Sequence, residues 1–260
     1  MKNRIAGAHR IVAVAVGLVL TLAQTSAAQA PEITAIKVLC STALRPVMQE
    51  LAPQFERATG HKVVIEYGVS TAIQRRVEAG EQFEAIFLNG TQLDALVQAG
   101  KIAPGTRTAV ARSGMAIAIR AGAAKPDIKT IDALKRTVLA AKSIAYAKEG
   151  AGGIYFIALA KRLGIVEQLK LQGTDSGDAV TEAVASGAAE LGILPVSEIL
   201  PVKGAELLGE FPKEVQEYVV MVGGVSVGAK QASVAKELIK FLTAPAAAPV
   251  IRKKGMEPER

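Results

Sequence analysis

The sequence predicts an α/β chain in two lobes, each a mostly parallel sheet flanked by helices, joined by a hinge of two crossover segments. Three observations carry this. Short apolar runs alternate with amphipathic segments. Glycines close one helical pattern after another. The alternation breaks near 115–120 and again near 218–222, where apolar strands stand outside the rhythm.

The elements follow in order. Ile36 to Cys40 reads as a strand, and Leu44, Val47, Met48, Leu51 and Phe55 then recur at helical spacing up to Gly60. Val63 to Tyr67 is a second strand, followed by a helix over 71–79 that Gly80 closes. Ala85 to Phe87 is a third strand. Leu93, Leu96 and Val97 mark a helix ending at Gly100. Met115 to Arg120 is a strand amid loop-like Gly, Ala, Lys and Pro. A second α/β unit comes next: a helix at Ile131 to Leu134, a strand at Ser143 to Tyr146, and a helix from Ile154 to Leu163 stopped by Gly164. Val180 to Ala185 is a helix stopped by Gly187, and Leu191 to Leu194 a strand stopped by Pro195. Tyr218 to Val222 and Val225 to Val227 are strand runs. Two helices, about Ser233 to Leu242 and Pro245 to Lys254, complete the pattern. The domains expected are a leader over 1–28, a first lobe over 29–112 completed by 217–260, and a second lobe over 113–216.

The leader has the form of an export signal. Lys2, Arg4 and Arg10 precede an apolar run from Ile11 to Ala23 that is too short for a comfortable bilayer span. Small residues follow and allow cleavage after Ala28 or Ala30. Ala28 is preferred, because the later cut leaves the rigid Pro31 at the new terminus. The expected location is the periplasm.

Composition narrows the function classes. Of 260 residues, 50% are hydrophobic, 21% charged and 4% aromatic, which excludes wholesale disorder, collagen and coiled coil. A single cysteine, Cys40, excludes an internal disulfide scaffold and a multi-thiolate metal site, and is read as a core residue. No metal and no cofactor is expected. The formal charge of +7 falls to +4 once residues 1–28, with three basic and no acidic residues, are removed. The basic residues are scattered apart from Arg252-Lys253-Lys254, and tryptophan is absent, so no nucleic-acid surface is expected. A mildly positive chain suits an anionic small ligand.

Ligands of open α/β sheets bind beyond the carboxyl ends of the strands. Four junctions there are rich in donors: Ser41-Thr42-Ala43, Gly68-Val69-Ser70-Thr71, Gly150-Ala151-Gly152-Gly153 and Thr174-Asp175-Ser176-Gly177. Helix N-termini present unpaired N–H groups and a partial positive charge, hydroxyls add neutral donors, and glycine admits a ligand to the backbone. The candidate ligand-binding residues are Ser41, Thr42, Ser70, Thr71, Gly152, Gly153, Ser176 and Gly177. The same residues are also ordinary helix caps and turn formers.

Catalytic motifs are weak, and no enzyme activity is expected. Gly68-Val69-Ser70-Thr71-Ala72 approaches the nucleophile elbow, but the hydrolase order needs a histidine after the serine, and His61 precedes it in a surface-type turn. Ser233-Val234-Ala235-Lys236 lies on a helix that a cap explains. Tyr155 stands where a dinucleotide fingerprint beginning at Gly150 needs glycine. A secreted serine hydrolase built on Ser70 is the remaining enzymatic alternative.

Val38-Leu39-Cys40-Ser41-Thr42-Ala43, Ser70-Thr71 leading to Val77-Glu78-Ala79-Gly80, Gly152-Gly153-Ile154-Tyr155 and Leu191-Gly192-Ile193-Leu194 resemble the periplasmic molybdate-binding proteins. The resemblance spans nearly all of the chain after the leader. It implies a two-lobed type II periplasmic binding protein, a monomer, that delivers a small anion to an ABC permease of the inner membrane. A molybdate- or tungstate-like oxyanion is the first expectation. A small organic anion, or service to a membrane sensor, is the alternative. By the resemblance Ser70 is a hydroxyl ligand, while Gly152 and Gly177 donate backbone N–H groups. Two positions depart: Ala43 replaces a ligand serine and Pro195 a pocket tyrosine. A fully deprotonated tetrahedral oxyanion has only acceptors, so its pocket needs donors and no ionised carboxylate. Within the four junctions the only carboxyl residue is Asp175.

Overall fold

The structure, a computed structural model, describes residues 34–259. The leader and its cleavage site lie outside the described residues.

Three parallel strands open the fold. β1 (Ala35–Ser41) lies between β2 (Lys62–Gly68) and β3 (Ala85–Asn89), with Val38 opposite both Ile65 and Ala85. The helices between them are α1 (Arg45–Thr59), entered through a 3-10 turn at Thr42–Leu44, and α2 (Ser70–Glu78). Helix α3 (Gly90–Gln98) follows β3. α1 buries Val47, Met48, Leu51 and Phe55 on one stripe, and fully burying such a side chain contributes about 1.5–3 kcal/mol. The helix ends at Gly60, whose φ of +79° places its N–H on the Glu56 carbonyl.

β4 (Thr108–Arg120) begins seven residues before its expected start at Met115. Its first half, Thr-Ala-Val-Ala-Arg-Ser-Gly, shows no apolar run, yet it pairs with later strands. Next come α4 (Ile131–Ala140), β5 (Ile144–Ala147), α5 (Ala151–Arg162), β6 (Leu171–Thr174), α6 (Gly177–Ser186), β7 (Leu191–Pro195), α7 (Val196–Ile199) and β8 (Ala205–Glu210). β6, α7 and β8 were not expected. β6 is an outer strand with exposed Gln172 and Gly173, so it lacks an apolar signature. The runs at 218–222 and 225–227 prove to be one strand, β9 (Tyr218–Val225), which ends before the exposed Val227. α8 (Ala232–Thr243) follows. The expected last helix is split into a 3-10 turn at Pro245–Ala247 and α9 (Ala248–Lys253), after which β10 (Glu257–Pro258) pairs with β4.

The sheet path runs β2-β1-β3-β9-β4-β7-β5-β6, and β4 turns from one set of partners to another at its middle. Thr108 to Gly114 pairs antiparallel with β9, whereas Met115 to Arg120 pairs antiparallel with β7 and β8. The chain returns alongside this point: the Met115 N–H donates to the Glu217 carbonyl at 2.9 Å, and the Phe211 N–H donates to the Met115 carbonyl at 3.1 Å. Two passages therefore run side by side between a first sheet built on β1 and a second built on β5 and β7.

Candidate functional site

The carboxyl ends of β1 and β3 in the first sheet and of β5 and β7 in the second face one cavity. Its walls include Ser41, Thr42, Ser70, Gly152, Gly153 and Gly177, six of the eight residues singled out from the sequence. Ala43 and Pro195 line it too, so both departures from the molybdate-protein pattern fall on the wall. The enclosed space is about 30 Å³. That is room for one or two waters at about 15 Å³ each, and a larger guest enters only if the walls part.

Ser70 is the first residue of α2, and its Oγ accepts the Asn89 N–H at 3.2 Å. With one lone pair engaged, its own proton is free to point into the cavity. Asn89, also on the wall, caps α3 by accepting the Gln92 N–H at 3.4 Å. Ser41 and Thr42 are buried at the end of β1.

The glycines are there for packing as well as access. A Cβ at Gly153 would lie 2.0 Å from the Ala147 carbonyl oxygen, and one at Gly152 would lie 2.7 Å from the Met115 methyl. Only glycine lets the start of α5 settle on the end of β5, and that first turn, whose N–H groups have no partner within the helix, lines the cavity.

Two of the eight lie off the wall. The Thr71 hydroxyl donates to the Glu149 carbonyl at 3.1 Å, beside the ion pair of Arg75 and Glu149 at 2.6 Å. Ser176 caps α6, its Oγ accepting the Ala179 N–H at 3.2 Å. Asp175 does not face the cavity: its side chain is exposed and pairs with Lys148 at 2.9 Å.

A carboxyl does reach the cavity. Glu198, on the short helix α7, lines the wall, and its Oε2 lies 1.9 Å from where a Cβ on Gly177 would stand. Gly177 is thus small because Glu198 lies across the start of α6. Desolvation, then the neighbouring Asp178 charge, pushes the Glu198 carboxyl up to about 7, while Arg45 and the Thr42 hydroxyl pull it partly back. In the sequence Pro195 reads as the end of a strand, and Glu198 stands three residues beyond it, at a carboxyl strand end like the other four junctions.

Among the described residues no Lys, Arg or His lines the cavity. His61 is not a free surface residue: it is partly buried, stacks on Phe55 with ring centroids 6.5 Å apart, and lies 4.0 Å from Glu237. It is therefore engaged away from Ser70. Among the described residues no three His, Cys, Asp or Glu side chains group as a metal would need, and no helix is long and apolar enough to cross a membrane. Cys40 is buried in the core, where desolvation pushes its thiol upward.

Donors from two sheets facing one cavity, with β4 common to both sheets, give the fold of the type II periplasmic binding proteins. The solved structure of the periplasmic molybdate-binding protein of Azotobacter vinelandii superposes with a TM-score of 0.74 at 21% identity, over 86% of this chain and all of that one. The family model for bacterial extracellular solute-binding proteins matches residues 36–257, and the chain belongs to that family. Its curated relatives include an aconitate isomerase of a Pseudomonas species, 31% identical over 96% of this chain and 97% of that protein. They also include the molybdate-binding protein of Azotobacter vinelandii, 28% identical over 88% of this chain and 91% of that protein.

Proposed function

We propose that this solute-binding protein of the ABC-transporter type captures a small anion in the cavity between its two sheets and hands it to a permease of the inner membrane. In this reading residues 34–112 and 217–259 form one lobe and 113–216 the other, and the mature protein works in the periplasm after loss of its leader. The carrying observation is the convergence of Ser41, Thr42, Ser70 and the first turns of α5 and α6 on one enclosed space with no cation in its wall. Neutral donors hold an anion by charge-assisted hydrogen bonds, each contributing roughly 1.5–3 kcal/mol, so four or five support micromolar affinity after desolvation. A ligand touching both walls favours the closed arrangement through contacts that only closure supplies.

The ligand is either an oxyanion or a small organic anion. Calorimetric titration with molybdate, tungstate, sulfate, phosphate and small carboxylates tests the reading. Saturable binding of at least one, weakened by Ser70→Ala, is the expected result. No heat from any of them defeats it.

A second reading rests on Glu198. A carboxyl that titrates near neutrality inside an anion site has the property of a general acid or base, and the isomerase relative gives that property a reaction to be tried on. Incubation with aconitate, with the isomer ratio followed by chromatography, tests it. A changing ratio that Glu198→Gln abolishes supports an enzyme, and an unchanged ratio in the wild-type protein removes this reading.

A further inference from the structure

The molybdate-type oxyanion expected from the sequence meets an obstacle at α7. Glu198 extends its carboxyl over the first residue of α6, so that a Cβ on Gly177 would lie 1.9 Å from Oε2. The same cavity holds Ser41, Thr42, Ser70 and the opening turn of α5. An acceptor carboxylate therefore stands among donors in a space of about 30 Å³. At such range two anions repel strongly in a medium poorer than water in screening. One proton placed between them turns the repulsion into a short hydrogen bond.

We propose that Glu198 makes capture proton-dependent: the anion binds together with one proton shared between itself and Glu198, so the site favours anions that bring a hydrogen-bond donor over fully deprotonated tetrahedral dianions. The proposal rests on the anion-capture reading above and names the ligand class within it.

The surroundings suit this role. Asp178 on α6 faces Glu198 as a like charge. Arg45 on α1 opposes that charge, but its guanidinium is engaged by Asp178 at 2.7 Å. Thr42 supplies the hydroxyl that shifts the group, and among the described residues no charged group of β4, β7 or β8 shifts it. Desolvation and Asp178 outweigh Arg45 and Thr42, so the carboxyl is held ready to take a proton beside a bound anion. The carboxyl is already pushed up to about 7 by desolvation and Asp178, and an adjacent anion raises it further. Below about 7 the proton is in place before the ligand arrives. Above that value a fully deprotonated anion binds only with uptake of the proton, and its affinity falls about tenfold for each added pH unit.

The test is calorimetric titration of the wild-type protein and Glu198→Gln at pH 6 and pH 8. The probes are sulfate, molybdate, inorganic phosphate and glycolate, and each titration is repeated in two buffers of different ionisation enthalpy, which counts protons taken up. For the wild-type protein we expect phosphate or glycolate to bind at least tenfold more tightly than sulfate or molybdate at pH 8, with close to one proton taken up by sulfate or molybdate where either binds and little by phosphate or glycolate, which bring their own donor. For Glu198→Gln we expect sulfate or molybdate to gain at least tenfold at pH 8 with no uptake. Sulfate or molybdate binding the wild-type protein at pH 8 without proton uptake, and no more weakly than phosphate, overturns this proposal and leaves anion capture standing. Failure of all four probes at both pH values overturns both. The proton count is taken on the wild-type protein, so it decides the matter even if the variant folds poorly.

Discussion

Arg45 and Asp178, 133 residues apart in the chain, meet with Nη1 2.7 Å from one carboxylate oxygen and 3.0 Å from the other. Arg45 begins α1 on the first sheet, and Asp178 lies in the first turn of α6 on the second. Arg75 and Glu149 make a matching bridge from α2 to the loop before α5, at 2.6 Å. The cavity thus lies between two ion pairs that each tie one sheet to the other.

The Arg75–Glu149 pair is well exposed and the Arg45–Asp178 pair partly so, and solvent and salt screen such pairs until they stabilise little. Their expected effect is on kinetics. Glu149→Gln should raise the ligand release rate a few-fold at low salt, and the difference should vanish near 0.5 M salt, where the Debye length is about 4 Å. Stopped-flow release at two salt concentrations measures it.

Glu198 ties stability to pH. A free Glu titrates near 4.5, and in the folded chain Glu198 is pushed up to about 7 by desolvation and then by Asp178. Between those values the native state holds a proton that the unfolded chain has released. Stability therefore falls as pH climbs from about 4.5 to 7 and levels beyond. Glu198→Gln should remove that fall, making the variant more stable than wild type at pH 8 by about 1–3 kcal/mol and no more stable near pH 4. Urea unfolding at the two pH values reads the difference.

Gly177→Ala would place a methyl 1.9 Å from Glu198 Oε2. Either the carboxyl or α6 must move, at a cost of about 1–3 kcal/mol. If the contact is the cause, Gly177→Ala should cost much less in a Glu198→Ala background. A double-mutant cycle by urea denaturation gives the coupling.

Ser70→Ala removes the acceptor of the Asn89 N–H. Leaving that donor unpaired should cost about 1–3 kcal/mol of stability, and ligand affinity should drop about ten- to a hundredfold with the lost hydroxyl. Thr71→Val, off the wall, should leave affinity within about threefold, because its hydroxyl serves the Glu149 carbonyl. Thermal unfolding and calorimetry separate the two effects.

Cys40 offers a probe of integrity. Its thiol is buried, and desolvation disfavours the thiolate. Iodoacetamide should leave it untouched in the native protein and alkylate it fully in 6 M guanidinium, as mass spectrometry would show.

The sequence carried most of the fold because the buried strands are apolar and the helices end at residues with marked conformational preferences. Gly187, at φ +82°, stops α6 where its place after the apolar pattern suggested. What stayed hidden had weak local signals. β6 sits at the outside of its sheet, and the first half of β4 draws its apolar contacts from small residues. At the site, Ser70 and Ser176 look alike in sequence, each a hydroxyl where a strand gives way to a helix. Only tertiary packing turns one toward the cavity and the other onto the Ala179 N–H. Glu198 was hidden differently: Pro195 ends β7 and at the same time begins α7, so a residue read as a stop leads directly into the wall.

β4 gives the molecule a single spine. Because its thirteen residues serve two sets of neighbours without a break, neither sheet can lose its central strand while the other keeps its own. Melting should therefore proceed as one cooperative event with a single calorimetric peak. A substitution that frays one end of this strand should lower the heat tolerance of parts of the protein it never touches.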